Sequence, residues 1–524
     1  MSSHSESEFS NNPHVSETES GQDSDTSASS NVGDIASRLR PRKNKTPKQK
    51  NLCVKLMLPE HLAAYMEERE LDRDVVPIQC IDDITQKIFG NYLLVKNILS
   101  HLPWQEKLIC KDVCPLWNSA VNRLQIEQLG PVDFSINAGF QAIREGVVML
   151  KSSEFYTEPM AIFTFCSAMA YHVCSIACQG ITPSPCTPSC DEEHSSKLLK
   201  VHKKYSKYVP SKNTTLVLDI IHLETTAPRD CMYTVKASSL SYMPLPHTLT
   251  LENTVQKPIQ GSDAVFYGIY IPIIPGVEFK MININCANGI QKDIKPEIKK
   301  LTEDYTVKGV VACLTENYLL YVDENNAECL SFLNAMQPDI PFAFGGCLVE
   351  DTATEVQDLV GIVDSVNKGK QFVSGNIMSL GLFVTPKDES STSVNESRHN
   401  FEVYSFVLES SEWCKLKISQ AIQEFSERVP RFEYSIALKF SCMGRQHKHE
   451  LEQHCFRLYF PRTRVIGCFG NGELGVNHPR RDPQTTRSAK RAREYLAYQK
   501  VHSYSTVFFY IGWGKITEEA DRDD

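Results

Sequence analysis

Apolar positions between about residues 88 and 124 recur at helical spacing, and beyond about residue 130 they fall into short runs of β-branched and aromatic residues. Leu94, Val95, Ile98, Leu99 and Leu102 share one face of an expected first helix, which Pro103 stops because a proline ring cannot continue the helical ladder. A second helix is expected from about Gln105 to Val113. A third begins at Pro115, where a missing N–H leaves nothing unpaired; Cys114 stands at its cap, and Leu116, Trp117, Ala120, Val121 and Leu124 form its apolar face. Three helices this short bury too little surface to be stable alone.

Upstream, 51–84 reads as a helical linker: Pro59 suits a first helical position, Leu62, Tyr65, Met66 and Leu71 follow it, and Pro77 ends it. Downstream, strands are expected at 264–272, 277–286, 309–314, 376–384, 401–408, 433–440, 464–469 and 504–511, each rich in β-branched or aromatic residues. Helices are expected at 327–336 and 411–428, the second closed by Pro430, and 163–177 reads as an apolar helical stretch. This mixture predicts an α+β fold, a small three-helix unit followed by a mixed α/β sheet domain over 131–516, with no internal repeat of fixed period.

Composition extends this picture at the ends of the chain. Residues 1–36 carry seven acidic side chains and no Lys or Arg, too little apolar material to order a backbone, and 38–50 answer with seven positive charges. The expectation is a disordered tail over 1–50, acidic then basic, and a short acidic tail over 517–524. The basic run fits nuclear import, so residence in cytoplasm and nucleus is expected, though a solvated linker has the same composition. The net charge of −9 argues against a general nucleic-acid binder. No apolar run is long enough for a membrane helix, and the polar N-terminus is unlike a signal peptide. The 18 cysteines lack the dense spacing of a secreted disulfide scaffold and read as reduced thiols.

The helical unit carries Ile98-Leu99-Ser100-His101-Leu102-Pro103, then Leu108, then Val113-Cys114 and Trp117, with Gly90-Asn91 where a Leu-Pro pair usually opens the pattern. It resembles an F-box over 85–126. That resemblance implies docking on the Skp adaptor, and through it on the cullin and RING subunits of an SCF-type ubiquitin ligase, with Ile98, Leu99, Leu102, Pro103, Leu108, Val113 and Trp117 as adaptor-binding or helix-holding residues. An ordinary helical hairpin is the plainer alternative.

The densest polar signal lies where expected strands end: Phe440-Ser441-Cys442-Met443-Gly444-Arg445, then Val465-Ile466-Gly467-Cys468-Phe469-Gly470-Asn471-Gly472-Glu473-Leu474-Gly475, then His502-Ser503-Tyr504-Ser505-Thr506. Asn471-Gly472 is a tight-turn signal, and by residue chemistry alone a hairpin turn accounts for it. These runs resemble the C-terminal part, about 400–516, of FIST domains, and weaker stretches at 264–286 and 310–348 agree; 131–260 does not. The resemblance implies a FIST-like domain that captures a protein or senses a small ligand at Cys442, Gly444, Arg445, Gly470, Asn471, Gly472, Glu473 and His502. Arg445 and Glu473 can each hold a charged group, or pair with one another.

Three further constellations hold residue types with chemical potential. Cys442, His502 and Glu473 have the residue types of thiol catalysis, but a packed thiol after a strand fits Cys442 better. Cys174, Cys178, Cys186, Cys190 and His194 have tolerable zinc spacing, yet cysteines beside an apolar stretch are ordinarily core. The basic run from 478 to 500 reads as a solvated loop. The expectation is therefore a non-catalytic substrate receptor with no cofactor and no metal, its alternative a ligand-sensing module whose F-box is regulatory or vestigial.

Overall fold

The computed structural model describes residues 87–137, 148–167, 225–245, 259–260, 265–284, 295–316, 331–338, 340–353, 376–387, 400–409, 412–479 and 501–517, with Ile221 and Tyr318. Everything below belongs to the unit Pro59–Asp524; the other unit, Met1–Leu58, lies outside the described residues. Also outside them fall the linker 51–84, the Cys174–His194 cluster, the basic run 480–500 and the acidic residues 518–524.

Helix α1 (Tyr92–Ser100) starts at Asn91, whose Oδ1 accepts from the N–H groups of Leu93 and Leu94 at 3.0 and 3.3 Å, so a side-chain cap opens the helix at the Gly90-Asn91 position. Pro103 separates it from α2 (Trp104–Cys110), which is shorter than its apolar pattern predicts. Helix α3 (Pro115–Glu127) begins at Pro115 after Cys114, as expected. Val95 and Leu99 from α1 meet Ala120, Val121 and Leu124 from α3 in a small core. Leu94 and Ile98, which spacing assigns to that same face, are exposed.

The helical unit is bolted to the rest of the chain through α2. Trp104 is buried, and its backbone N–H donates to the Phe155 carbonyl at 2.8 Å. Gln105 donates to Thr225 O and Thr226 Oγ1, and the buried Lys107 ammonium donates to Tyr156 O at 2.9 Å and to Gln128 Oε1. Burial lowers the Lys107 pKa to about 8.

The strands follow as β1 (Val132–Asn137), β2 (Val148–Lys151), β3 (Pro159–Ser167), β4 (Met232–Ala237), β5 (Ser239–Met243), β6 (Ile259–Gln260) and β7 (Val265–Pro272). Next come β8 (Glu278–Ile284), α4 (Lys295–Asp304), β9 (Tyr305–Thr315), α5 (Ser331–Met336), β10 (Ala343–Val349), β11 (Asp351–Ala353) and β12 (Met378–Pro386). The last run is β13 (Asn400–Leu408), α6 (Lys415–Ser426), β14 (Phe432–Cys442), a 3₁₀ turn (Met443–Lys448), α7 (His449–Tyr459), β15 (Arg464–Gly470), β16 (Glu473–Gly475), β17 (Val501–His502) and β18 (Thr506–Ile516).

They form three six-stranded sheets, ordered β11-β4-β3-β7-β1-β2, β17-β16-β10-β9-β12-β8 and β13-β18-β14-β15-β5-β6. The fold is mixed α+β, and its sheets repeat one strand plan three times. In 132–272, 278–386 and 400–516 an outer strand (β1, β8, β13) is followed by a parallel pair (β3 with β4, β9 with β10, β14 with β15). A short strand then crosses into another sheet, and a return strand (β7, β12, β18) inserts between the outer strand and the pair. The crossings run in a cycle: β5 pairs with β15, β11 with β4 and β16 with β10. Gly346 and Gly467 hold matching places in two of the pairs; a Cβ there would lie 1.7 or 1.8 Å from the carbonyl oxygen of Ala312 or Lys439 on the parallel neighbour. The repeat lies in the order of strands across segments of unequal length and not in a fixed residue period, so it leaves no periodic trace in the sequence.

One face of each sheet turns to a shared core in which Phe163 and Tyr233 meet Val311 and Phe383 and also Leu438, Phe509 and Trp513. Helices α4 and α5 cover the other face of the second sheet, and α6 and α7 that of the third. Strand β3 is buried along its whole length, so its apolar run does not alternate. That corrects the helical reading from Phe163, since Phe163–Ser167 end a strand.

Candidate functional site

Two regions carry the residues singled out from the sequence. On the helical unit, Ile98 and Val113 are exposed, Leu102, Pro103, Leu108 and Trp117 are half-buried, and Leu99 is 1 % exposed. Leu99 therefore holds α1 against α3 and has no surface for a partner. Trp117 stacks obliquely on Phe89 at 5.7 Å between ring centroids. The structure adds three apolar side chains to the outward set, Phe89, Leu93 and Leu94, 45, 72 and 45 % exposed. The signal for Leu93 was present in Tyr92-Leu93-Leu94-Val95, an apolar run wider than one buried stripe needs.

The second region lies where β14, β15 and β16 end. The parallel pairing of β14 and β15 sets Cys442 beside Gly470, and after Asn471-Gly472 the chain crosses to the second sheet, where Glu473 stands opposite both Cys347 and His502. Cys442, Gly444, Arg445, Gly470, Asn471, Gly472, Glu473 and His502 are thus gathered at one strand end. Arg445 and Glu473 are fully buried.

Arg445 does not make its ion pair with Glu473. Its Nε and NH2 donate to Glu452 Oε1 at 2.9 and 2.6 Å, and its NH1 donates to the Tyr504 carbonyl at 3.1 Å. The other Glu452 oxygen accepts from Thr506 Oγ1 at 2.9 Å and lies 3.2 Å from Lys439 Nζ. Lys439 and Glu452 are themselves fully buried, so one carboxylate deep in the protein serves two cations. Sequence reasoning missed both. A lysine inside Ile436-Ala437-Leu438-Lys439-Phe440 was the available signal for one; for Glu452 it was a place on the inward side of α7 with Gln453, Cys455 and Phe456.

Glu473 accepts from Ser505 at Oε2, from the N–H at 3.2 Å and from Oγ at 2.8 Å. Burial pushes its carboxyl up to about 7 against the pull of these hydrogen bonds and of Arg445. The Cys442 thiol beside it is also raised, by burial first and then by the Glu473 charge, the opposite of an activated nucleophile. His502 donates from Nε2 to the Gly475 carbonyl at 3.0 Å. Together these contacts of Arg445, Glu473 and His502 orient the 502–505 loop.

No family model matches the chain, and no curated protein does. Among solved structures it is similar to a cyanuric acid hydrolase from A. caulinodans at 8 % identity and a TM-score of 0.28, over 68 % of this chain and 91 % of that one. Likeness at that level assigns no chemistry. No helix among the described residues is long and apolar enough to cross a membrane.

Proposed function

We propose that the chain is the substrate receptor of an SCF-type ubiquitin ligase. In this reading α1 to α3 are an F-box that holds the Skp adaptor, with cullin and RING subunits beyond it, and the sheet domain is FIST-like and presents its strand ends to a protein substrate. The receptor performs no bond chemistry. It raises the effective concentration of a substrate lysine near a charged conjugating enzyme.

The observation that carries the reading is the uncovered apolar seam on the helical unit. Phe89, Leu93, Leu94, Ile98 and Val113 are between 42 and 72 % exposed within 25 residues of chain, although α2 of the same unit is packed into the rest of the molecule. Apolar side chains gathered on one small element mark a contact surface, and a second polypeptide supplies their cover. The attachment through Trp104, Gln105 and Lys107 supports the same reading, because a receptor works best when adaptor and substrate are held at a fixed separation.

Co-expression of the full chain with the Skp adaptor tests it. The adaptor is expected to co-purify with the natural chain and to be lost from Leu102→Ala/Pro103→Ala, with the sheet domain still folded by circular dichroism. Failure of the natural chain to retain the adaptor overturns the reading, as does retention by the double variant.

A further inference from the structure

Tyr504 is displayed under constraint. Its backbone sits in the left-handed region at φ +52°, where a non-glycine residue is strained, and its side chain is 56 % exposed. Buried groups hold it there from both sides. Arg445 binds its carbonyl, the Glu473 carboxyl takes the N–H and hydroxyl of Ser505, and Cys442 donates its N–H to the Ser505 carbonyl at 2.9 Å. The ring lies over Gly444, where a Cβ would come within 2.7 Å of it.

Hydrogen bonds from buried groups thus fix the backbone at 504–505, and the ring, seated over Gly444, keeps 56 % of its side chain exposed. We propose that Tyr504 is the anchor by which this chain grips a folded protein substrate, its ring entering an apolar pocket on that partner. The proposal rests on the receptor reading and deepens it. A rigid tyrosine brings large contact area with little side-chain entropy left to lose, which is why such residues dominate binding energy at protein interfaces. Val501, 47 % exposed, adds apolar surface on the same loop. Gly444, which the ring covers, and Ser503 beside it are exposed and uncharged, so no like charge opposes an apolar pocket at the ring itself.

The test uses the full chain co-expressed with the adaptor. Proteins whose ubiquitination depends on Leu102 and Pro103 are identified by mass spectrometry under proteasome inhibition, and the one that falls most in Leu102→Ala/Pro103→Ala is purified and titrated against each variant by calorimetry. Tyr504→Ala is expected to weaken binding by about thirtyfold or more and Tyr504→Phe by less than about fivefold. Gly444→Ala, which keeps the ring but displaces it, is expected to weaken binding at least about tenfold. Adaptor co-purification and thermal midpoint are expected to be unchanged in all three. Binding by Tyr504→Ala within twofold of the natural chain overturns the proposal, as does binding that nuclease treatment abolishes, or failure to find any protein whose modification requires the chain. Loss of the adaptor from the natural chain is a separate result and overturns the receptor reading itself.

Discussion

Glu452 binds Arg445 and Lys439 together, each within 3.2 Å, in a place where none of the three side chains reaches solvent. Taking either charge out of water is unfavourable unless the partner is present. Glu452→Gln keeps the shape but leaves two buried cations facing a neutral amide, and is expected to destabilise the protein by about 3–5 kcal/mol. Denaturant unfolding measures it. A loss below about 1 kcal/mol would mean that water reaches the cluster.

Glu473 gives a stability signature of defined sign. Its carboxyl titrates near 7 when folded against 4.5 as a free group, so between these values the native state holds a proton that the unfolded chain has released. Its contribution is fully present below about pH 4.5 and is lost as pH rises through 7, a change on the order of 3 kcal/mol. Glu473→Gln is expected to flatten the fall in unfolding free energy between pH 5 and 7.5. An unchanged slope would place that titration elsewhere.

Lys107 acts in the opposite sense. Its amine titrates near 8 in the folded chain against 10.5 when free, so the unfolded chain binds the extra proton between these values. Stability is therefore expected to rise from about pH 8 to pH 10.5, again by on the order of 3 kcal/mol, and Lys107→Met is expected to remove that rise. Because α2 carries this residue into the sheet region, the same variant reports whether the helical unit stays attached, which limited proteolysis between α3 and β1 measures.

What the residues disclosed in advance follows from where one signal dominates. Cys114-Pro115 and Pro103 mark helix starts whatever surrounds them, and α3 and α2 begin there, whereas α1 and α6 already end at Ser100 and Ser426, a few residues before Pro103 and Pro430. Strands β13, β14, β15 and β18 were legible from their β-branched and aromatic content. Strand β3 was not, because an element buried on both faces has no alternation, and a continuous apolar run fits a helix as well. Gathering of the strand-end residues was what the resemblance to FIST domains implied, but the partner of Arg445 was not: Glu452 is seven residues away, folded back by a 3₁₀ turn and the first turn of α7. The threefold strand plan was hidden because its crossing strands pair with sheets far away in sequence.

The helical unit separates residues that hold it together from residues that meet a partner, and mutation should separate them too. Leu99 is enclosed by Val95, Ala120, Val121 and Leu124, so Leu99→Ala opens a cavity and is expected to destabilise by about 2–5 kcal/mol. Leu93 and Ile98 lie on the same helix with 72 and 42 % of their surface in water, so Leu93→Asp/Ile98→Asp is expected to change stability by no more than about 1 kcal/mol. Under the receptor reading that exposed pair nevertheless abolishes adaptor binding, because it sets two charges against an apolar contact. Calorimetry of the full chain with the purified adaptor, run beside thermal unfolding of each variant, checks both halves. Adaptor binding that survives Leu93→Asp/Ile98→Asp would remove the outward face of α1 from the interface.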